Sequence, residues 1–495
     1  MPEAPATPLR VAVIGAGPSG FYATDALLKA RDDVSVDIFD RLPAPFGLVR
    51  YGVAPDHLKM KAVTSMYVRT ASDPRVRFLG NVEIGRDLTA DDLRRHYHAT
   101  VFAYGAPGDR RLGIPGEDLV GSLAATDFVA WYNGHPDYRD VNPPLDGPTA
   151  IVVGVGNVAV DVARILAKSP GELARSDIAD HALEALRTSQ VRDVVVLGRR
   201  SPAEAKFTTK ELREFGELEE ADVIVDPADL ELHPASQKLL KEHSTEARNL
   251  EVLRGFAART RRAAERRVHF RFLYSPRALE SNADGTRVAA VEVERNTIEE
   301  RKDGSLSAVG TGATERWPAQ LVLRSVGYHG SGLQGVPFDE RRGIIPNAHG
   351  RVLDAPDGAP VPGFYASGWI KRGPSGVIGT NKADAIETVA KLLEDDLPIP
   401  DDPRPEAVDQ LLAERGAVVI DFEAWRRIDR IELALGRKHG RPRVKIVSRA
   451  VMLAAASGDD TGEADDIDAY RPDDREDERE DDREDDREDE ASTDS

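Results

Sequence analysis

Val11-Ala12-Val13-Ile14 is an unbroken apolar run that ends in Gly15-Ala16-Gly17-Pro18-Ser19-Gly20, and Ala150-Ile151-Val152-Val153 ends in the same way in Gly154-Val155-Gly156-Asn157-Val158-Ala159. Short aliphatic runs bounded by glycine predict strands buried on both faces, and the amphipathic stretch after each predicts a helix. A second apolar run follows each helix. Val34-Ser35-Val36-Asp37-Ile38-Phe39 closes the first unit at Asp40, and Val194-Val195-Val196-Leu197-Gly198 closes the second at Arg199-Arg200. The pattern is two βαβ units about one domain apart. Further strands are expected at 99–106, 320–328 and 361–369, the last turning into a helix. Gly113-Ile114-Pro115-Gly116 breaks the chain between the two units and is the expected crossover. Between Asp401 and Val447, apolar residues such as Phe422, Trp425 and Ile428 recur at spacings of 3 and 4, which predicts packing helices.

A strand that runs into a helix through glycine brings backbone N–H groups and a helix N-terminus against a pyrophosphate. Gly15, Ala16, Gly17 and Gly20 are the candidates for one such cradle, and Gly154, Val155, Gly156 and Asn157 for a second. The second strands separate the ligands. Asp40 lies 25 positions past Gly15, where a ribose 2′-OH needs an acceptor and a 2′-phosphate would be repelled, so the first site takes FAD or NAD. Arg199 and Arg200 reverse the charge, and two guanidiniums at a strand end hold a phosphate dianion, so the second site selects NADP.

Composition narrows the chemistry. The chain has 495 residues and no cysteine, which excludes an intrinsic iron–sulfur cluster, a dithiol relay and any disulfide. A flavin reductase without an internal thiol or cluster passes electrons to a bound partner, to oxygen or to a small molecule. The formal charge of −20 is mostly terminal: 21 of the 86 acidic residues and 5 of the 66 basic ones lie after Gly458, leaving residues 1–458 at only −4. The Asp-Asp-Arg-Glu repeats there lack an apolar stripe, so a disordered acidic tail is expected over 458–495. If it competes with an acidic partner for a basic face, deleting it should tighten partner binding at low salt. The slightly acidic folded part carries no nucleic-acid motif, so no nucleic-acid partner is expected. No run reaches the roughly 18 apolar residues of a membrane span, and the start of the chain has no signal-peptide core. A cytoplasmic protein without membrane insertion is expected, and nothing demands more than a monomer. No metal site is expected.

Three longer segments resemble one family. Residues 45–57 (Pro45-Phe46-Gly47-Leu48-Val49-Arg50-Tyr51-Gly52-Val53-Ala54-Pro55-Asp56-His57), Gly154 to Arg164, and 368–381 (Gly368-Trp369-Ile370-Lys371-Arg372-Gly373-Pro374-Ser375-Gly376-Val377-Ile378-Gly379-Thr380-Asn381) look like those of adrenodoxin-reductase-like ferredoxin–NADP reductases, over roughly residues 8–455. Asp40 departs from the family's more frequent Glu; the acceptor survives with a shorter reach. The resemblance implies an α/β protein of two Rossmann-like domains, the NADPH domain (113–328) inserted in a discontinuous FAD domain (8–112 and 329–457). It implies hydride transfer from NADPH to FAD, then single electrons to a ferredoxin that supplies acceptors of the cytochrome P450 type. It places His57 near the nicotinamide and flavin faces, pairs it with Glu214, sets Glu211 at the NADP ribose end and turns Asp161 toward the nicotinamide. For FAD it adds Leu48, Val82, Trp369, Gly376, Val377 and Ile378. A basic stretch, Arg254, Arg259, Arg261, Arg262, Arg266, Arg267 and Arg271, would steer an acidic ferredoxin. An NADPH-dependent flavin monooxygenase, a reductase module like that of glutamate synthase, and a non-turnover FAD/NADPH redox sensor stay open as alternatives.

Overall fold

Each apolar run forms a central strand, and each glycine turn follows it. The computed structural model describes residues 8–458; Met1–Thr7 and the acidic tail from Asp459 lie outside them. Leu9–Ile14 is buried along its whole length. It lies inside a seven-stranded sheet ordered Asn347–Ala348, Arg351–Leu353, Pro360–Ala366, Ala99–Phe102, Leu9–Ile14, Val34–Asp40, Val76–Gly80. The last five are parallel and the first two run antiparallel at one edge. Thr149–Val153 belongs to a six-stranded sheet, wholly parallel, ordered Ser122–Ala124, Leu321–Arg324, Thr149–Val153, Asp193–Gly198, Arg266–Phe272, Ala221–Val225. Parallel sheets need both faces covered. The first is covered by apolar clusters containing Phe21, Tyr67 and Trp425 on one side and Phe39, Phe102 and Phe364 on the other.

The second sheet is covered differently on its two faces. Helices, Asn157–Ala167 among them, cover one. The other packs Ile151, Val153, Leu197 and Val322 against an antiparallel sheet of Tyr274–Ser281, Val288–Glu300 and Leu306–Pro318, which the sequence reading did not anticipate. The chain passes between the two parallel sheets twice. The passages pair as a two-stranded antiparallel ribbon, Gly108–Asp109 with Tyr328–His329. Residues 113–116, expected as the crossover, come just after it: Ile114, like Leu112 before it, already packs on the antiparallel sheet, and Pro115 accepts from the Leu279 N–H at 2.8 Å. The described residues up to Ser457 form one compact unit. Among them, no helix is long and apolar enough to cross a membrane, and no side-chain cluster has the make-up of a metal site.

Candidate functional site

The first glycine turn is held by contacts that no side chain would allow. Gly15 has φ +110° and a Cβ there would stand 2.7 Å from the Ala103 carbonyl oxygen, while one at Gly20 would stand 2.0 Å from that of Gly15. The helix Pro18–Ala30 therefore starts hard against the turn, with Gly17 as an N-cap that offers no side chain. Among the described residues the N–H groups of Gly17, Ser19 and Gly20 donate to no protein acceptor, and they converge at the positive end of the helix dipole. Asp40 stands beside them. One carboxylate oxygen accepts from the Ala16 N–H at 2.9 Å and the other from the Leu42 N–H at 2.9 Å, so its first task is to fix the turn, and one lone pair per oxygen remains for a ribose hydroxyl. Burial raises its pKa despite both bonds.

Other residues expected at this cradle are dispersed around it. Leu48 lies on the short helix Gly47–Tyr51 and is 40% exposed. Val82 is buried and its N–H is spent on the Asp40 carbonyl at 2.9 Å, which leaves its own carbonyl for a ligand edge. Trp369 follows the strand Pro360–Ala366, its ring 5.0 Å from that of Tyr328 and its indole N–H bonded to the Ser375 carbonyl at 3.1 Å. Gly376 (φ +80°), the 60%-exposed Val377 and Ile378 precede the helix Thr380–Glu394, and the Thr380 hydroxyl accepts from the Val377 N–H at 3.1 Å.

The second turn repeats the construction. Gly154 has φ +141° and a Cβ there would lie 2.1 Å from the Ser325 carbonyl oxygen. Helix Asn157–Ala167 begins after Gly156, again uncapped; Gly156 is bridged to Lys206, and among the described residues the N–H groups of Val155 and Gly156 have no protein acceptor. Asn157 accepts from the Thr208 N–H at 2.8 Å, and Thr208 caps the helix Thr209–Glu214 and bonds the Glu211 carboxylate. Arg199 is exposed and Arg200 half-buried, and among the described residues neither guanidinium is engaged by another protein group. Two cradles of free N–H donors, one flanked by a carboxylate and one by two unengaged guanidiniums, fit an FAD and an NADPH.

Between the cradles lies a buried charge knot. Arg164, with no exposed side-chain surface, reaches Asp56 through Nε and Nη2 at 2.9 and 3.0 Å, Asp161 at 2.7 Å and Glu214 at 3.1 Å. Its Nη2 also lies 2.8 Å from His57 Nε2, which lies 2.7 Å from Glu214 Oε2. His57 Nδ1 faces Asp161 at 4.0 Å without a hydrogen bond. Lys168 pairs with Asp56 at 2.8 Å. Burial pushes the Asp161 carboxyl up to about 6, with Arg164 only partly offsetting it. Glu214 moves the other way: burial raises it, but the His57 hydrogen bond and the Arg164 charge outweigh that and hold it below its ordinary range. Arg164 and Lys168 likewise hold Asp56 far below against the effect of burial.

The structure thus brings His57, Glu214 and Asp161 into one cluster, with Glu211 on the same helix as Glu214. Sequence reasoning missed Arg164, Asp56 and Lys168. A signal was present: Asn157, Asp161, Arg164 and Lys168 fall at helical spacing on an otherwise apolar segment. The basic stretch is mostly spent internally. Arg262 is tied to Asp222, Arg266 to the Lys168 carbonyl, Arg267 to Asp193 and Arg271 to Asp229, and Arg259 stacks on Phe256.

No protein-family model matches this sequence. The chain is 46% identical over 470 residues to the NADPH-ferredoxin reductase FprA of Mycobacterium tuberculosis, covering 91% of this chain and all of the relative. It is 41% identical to the mitochondrial NADPH:adrenodoxin oxidoreductase of Arabidopsis thaliana, over 92% of this chain and 97% of that one. The solved structure of Mycobacterium tuberculosis FprA in complex with NADPH superposes with a TM-score of 0.85 at 45% identity, over 91% of this chain and all of that chain.

Proposed function

Because the chain belongs to the family of NADPH–ferredoxin and adrenodoxin reductases, we propose that it is an oxidoreductase that moves electrons from NADPH through FAD to a ferredoxin. Residues 8–112 and 329–457 form the FAD domain and 113–328 the NADPH domain. When bound, the two cofactors supply the redox chemistry, a hydride passing from the nicotinamide to the flavin and electrons leaving singly to the iron–sulfur carrier. The protein supplies alignment and charge. The free N–H groups after Gly15 and Gly154 hold the two pyrophosphates, Asp40 takes the FAD ribose, and Arg199 and Arg200 take the NADP 2′-phosphate. Trp369 and the Gly376-Val377-Ile378 turn border the flavin. His57, Glu214 and Asp161 manage the proton at the junction.

The observation that carries this reading is the second cradle: a free helix N-terminus beside two unengaged guanidiniums, within one compact unit with the first. Anaerobic titration tests it. The purified protein should be yellow, and its flavin absorbance should bleach with stoichiometric NADPH, far less readily with NADH, and recover when oxidised ferredoxin is added. A colourless protein that flavin cannot reconstitute, or equal response to both nucleotides, would overturn it.

A further inference from the structure

With Arg199 and Arg200 assigned to the NADP 2′-phosphate as above, two guanidiniums that no protein group engages among the described residues must be aimed by the backbone beneath them. The strand Asp193–Gly198 ends before the pair, so the ladder of the parallel sheet fixes neither residue. Their carbonyls are fixed from the antiparallel sheet instead. Asn296 Nδ2 donates to the Arg199 carbonyl at 2.9 Å, and the Leu273 N–H donates to the Arg200 carbonyl at 3.2 Å. The first carbonyl lies in the peptide plane before the Arg200 Cα and the second in the plane after it. Both planes that flank Arg200 are thereby pinned, which sets the direction of its Cα–Cβ bond. The next residue, Ser201, is buried and closes a capping box with Glu204, so the chain is held beyond the pair as well.

Two local irregularities coincide with these contacts. Leu273 has φ +62°, a left-handed conformation that a leucine adopts only where its surroundings over-determine it. It is the one-residue corner between Arg266–Phe272 of the parallel sheet and Tyr274–Ser281 of the antiparallel one. Its N–H goes to Arg200 and its carbonyl accepts from the Asn296 N–H at 2.7 Å. The second irregularity lies in the strand Val288–Glu300, whose pairing slips between Glu294 and Asn296, so that Thr311, Gly312 and Ala313 stand opposite the single Arg295. The buried positions change phase there: Val291 and Val293 are followed by Asn296 and Ile298. An unbroken period of two would turn residue 296 to the face of Glu292 and Glu294, away from Arg199. Asn296 is instead only 5% exposed, and its amide nitrogen donates to Ser275 Oγ at 2.8 Å as well as to Arg199.

We propose that Asn296 is a positioning residue for recognition of the 2′-phosphate: it holds the Arg199–Arg200 backbone so that both side chains are aimed before the nucleotide arrives. The antiparallel sheet that carries it is then the buttress of the NADP-selective end. Without the tie, ordering this turn falls to phosphate binding itself, which weakens nucleotides that carry the phosphate and spares those that lack it.

Calorimetry on the FAD-loaded protein tests this with 2′,5′-ADP, which has the phosphate and no nicotinamide, and with 5′-AMP, which lacks the phosphate. Asn296→Ala should weaken 2′,5′-ADP by about 5-fold and leave 5′-AMP unchanged. In an Arg199→Ala/Arg200→Ala background the same substitution should add nothing, because the groups it aims are gone. Ser275→Ala removes only the other amide contact and serves if Asn296→Ala does not fold; it should give a loss of the same selectivity, about 2-fold. Equal losses for the two nucleotides, or a loss that survives in the arginine-free background, would overturn the proposal and leave Asn296 a structural amide. A double arginine variant that binds 2′,5′-ADP as tightly as wild type would instead strike the phosphate assignment itself.

Discussion

Two carboxylates share Arg164, and their environments drive them apart. Asp161 lies 2.7 Å from the guanidinium but the pair is not aligned for a hydrogen bond, so burial wins and lifts the carboxyl to about 6; Glu214 keeps the His57 bond and is lowered. Such divergence marks groups with separate proton tasks. It also fixes a sign. A carboxyl raised in the folded state binds its proton more tightly there than in the unfolded chain, so wild-type stability falls as pH rises from about 4 through about 6 and then levels. Asp161→Asn removes that liability. The variant should be more stable than wild type at pH 8 by on the order of 1–3 kcal/mol, and the gain should vanish as pH drops toward 4. Denaturant unfolding at several pH values measures it; a gain independent of pH would contradict the assignment.

The nucleotide cradles are properties of whole strand-turn-helix elements. Arg199 and Arg200 follow the strand Asp193–Gly198, and among the described residues no protein group engages either guanidinium, so truncating the side chains leaves the backbone bonds to Asn296 and Leu273 in place. Charge-assisted hydrogen bonds are worth about 1.5–3 kcal/mol each, so Arg199→Ala/Arg200→Ala should raise the KM for NADPH by about 10- to 100-fold or more and leave NADH nearly unchanged. Gly154→Ala should be harsher, since the added carbon meets the Ser325 carbonyl at 2.1 Å in a backbone conformation closed to alanine; loss of NADPH binding with FAD content retained is the expected result. These elements were legible in the sequence because a long apolar run ending in glycine is a local signal. The strands expected at 99–106 and 320–328 formed as Ala99–Phe102 and Leu321–Arg324, shorter at the end where small residues turn away. What was not legible was non-local. The antiparallel sheet of Val288–Glu300 and its neighbours depends on pairing over many residues, the ribbon strands are two residues long and carry no period, and Arg164 gains its meaning only when Asp56 and Glu214 arrive from elsewhere.

At the scale of the molecule, the two parallel sheets are tied by that short ribbon, and what stiffens it is again one buried cation. Arg324, at the end of the strand Leu321–Arg324 and just before the second passage, is 12% exposed. It faces Asp109 of the first passage at 3.6 Å, Glu117 at 3.3 Å and the Ser122 hydroxyl at 2.9 Å. Glu117 in turn accepts from the Leu112 and Gly113 N–H groups, so a single guanidinium spans both passages and the loop after the first. Asp109 sits opposite Tyr328, whose ring tilts against that of Trp369, so slack here would be felt at the border proposed for the flavin. Arg324→Met should therefore destabilise the protein by about 3 kcal/mol, because it leaves the largely buried Asp109 without a counter-charge and Glu117 with only its backbone bonds and Arg111, rather than merely deleting an attraction. It should also slow flavin reduction by NADPH while FAD content holds. The loss should depend on pH in a set direction: burial, with Asp127 and Glu117 adding to it, raises the Asp109 carboxyl to about 6 even with Arg324 in place, and higher without it. Below pH 6 Asp109 takes a proton and its stranded charge disappears, so the variant's deficit in thermal midpoint should be smaller at pH 5.5 than at pH 8. A deficit that stays constant or grows on acidification would show that Asp109 is not the group Arg324 holds, and Arg324→Lys, which keeps the charge but cannot span both carboxylates, should fall between the two.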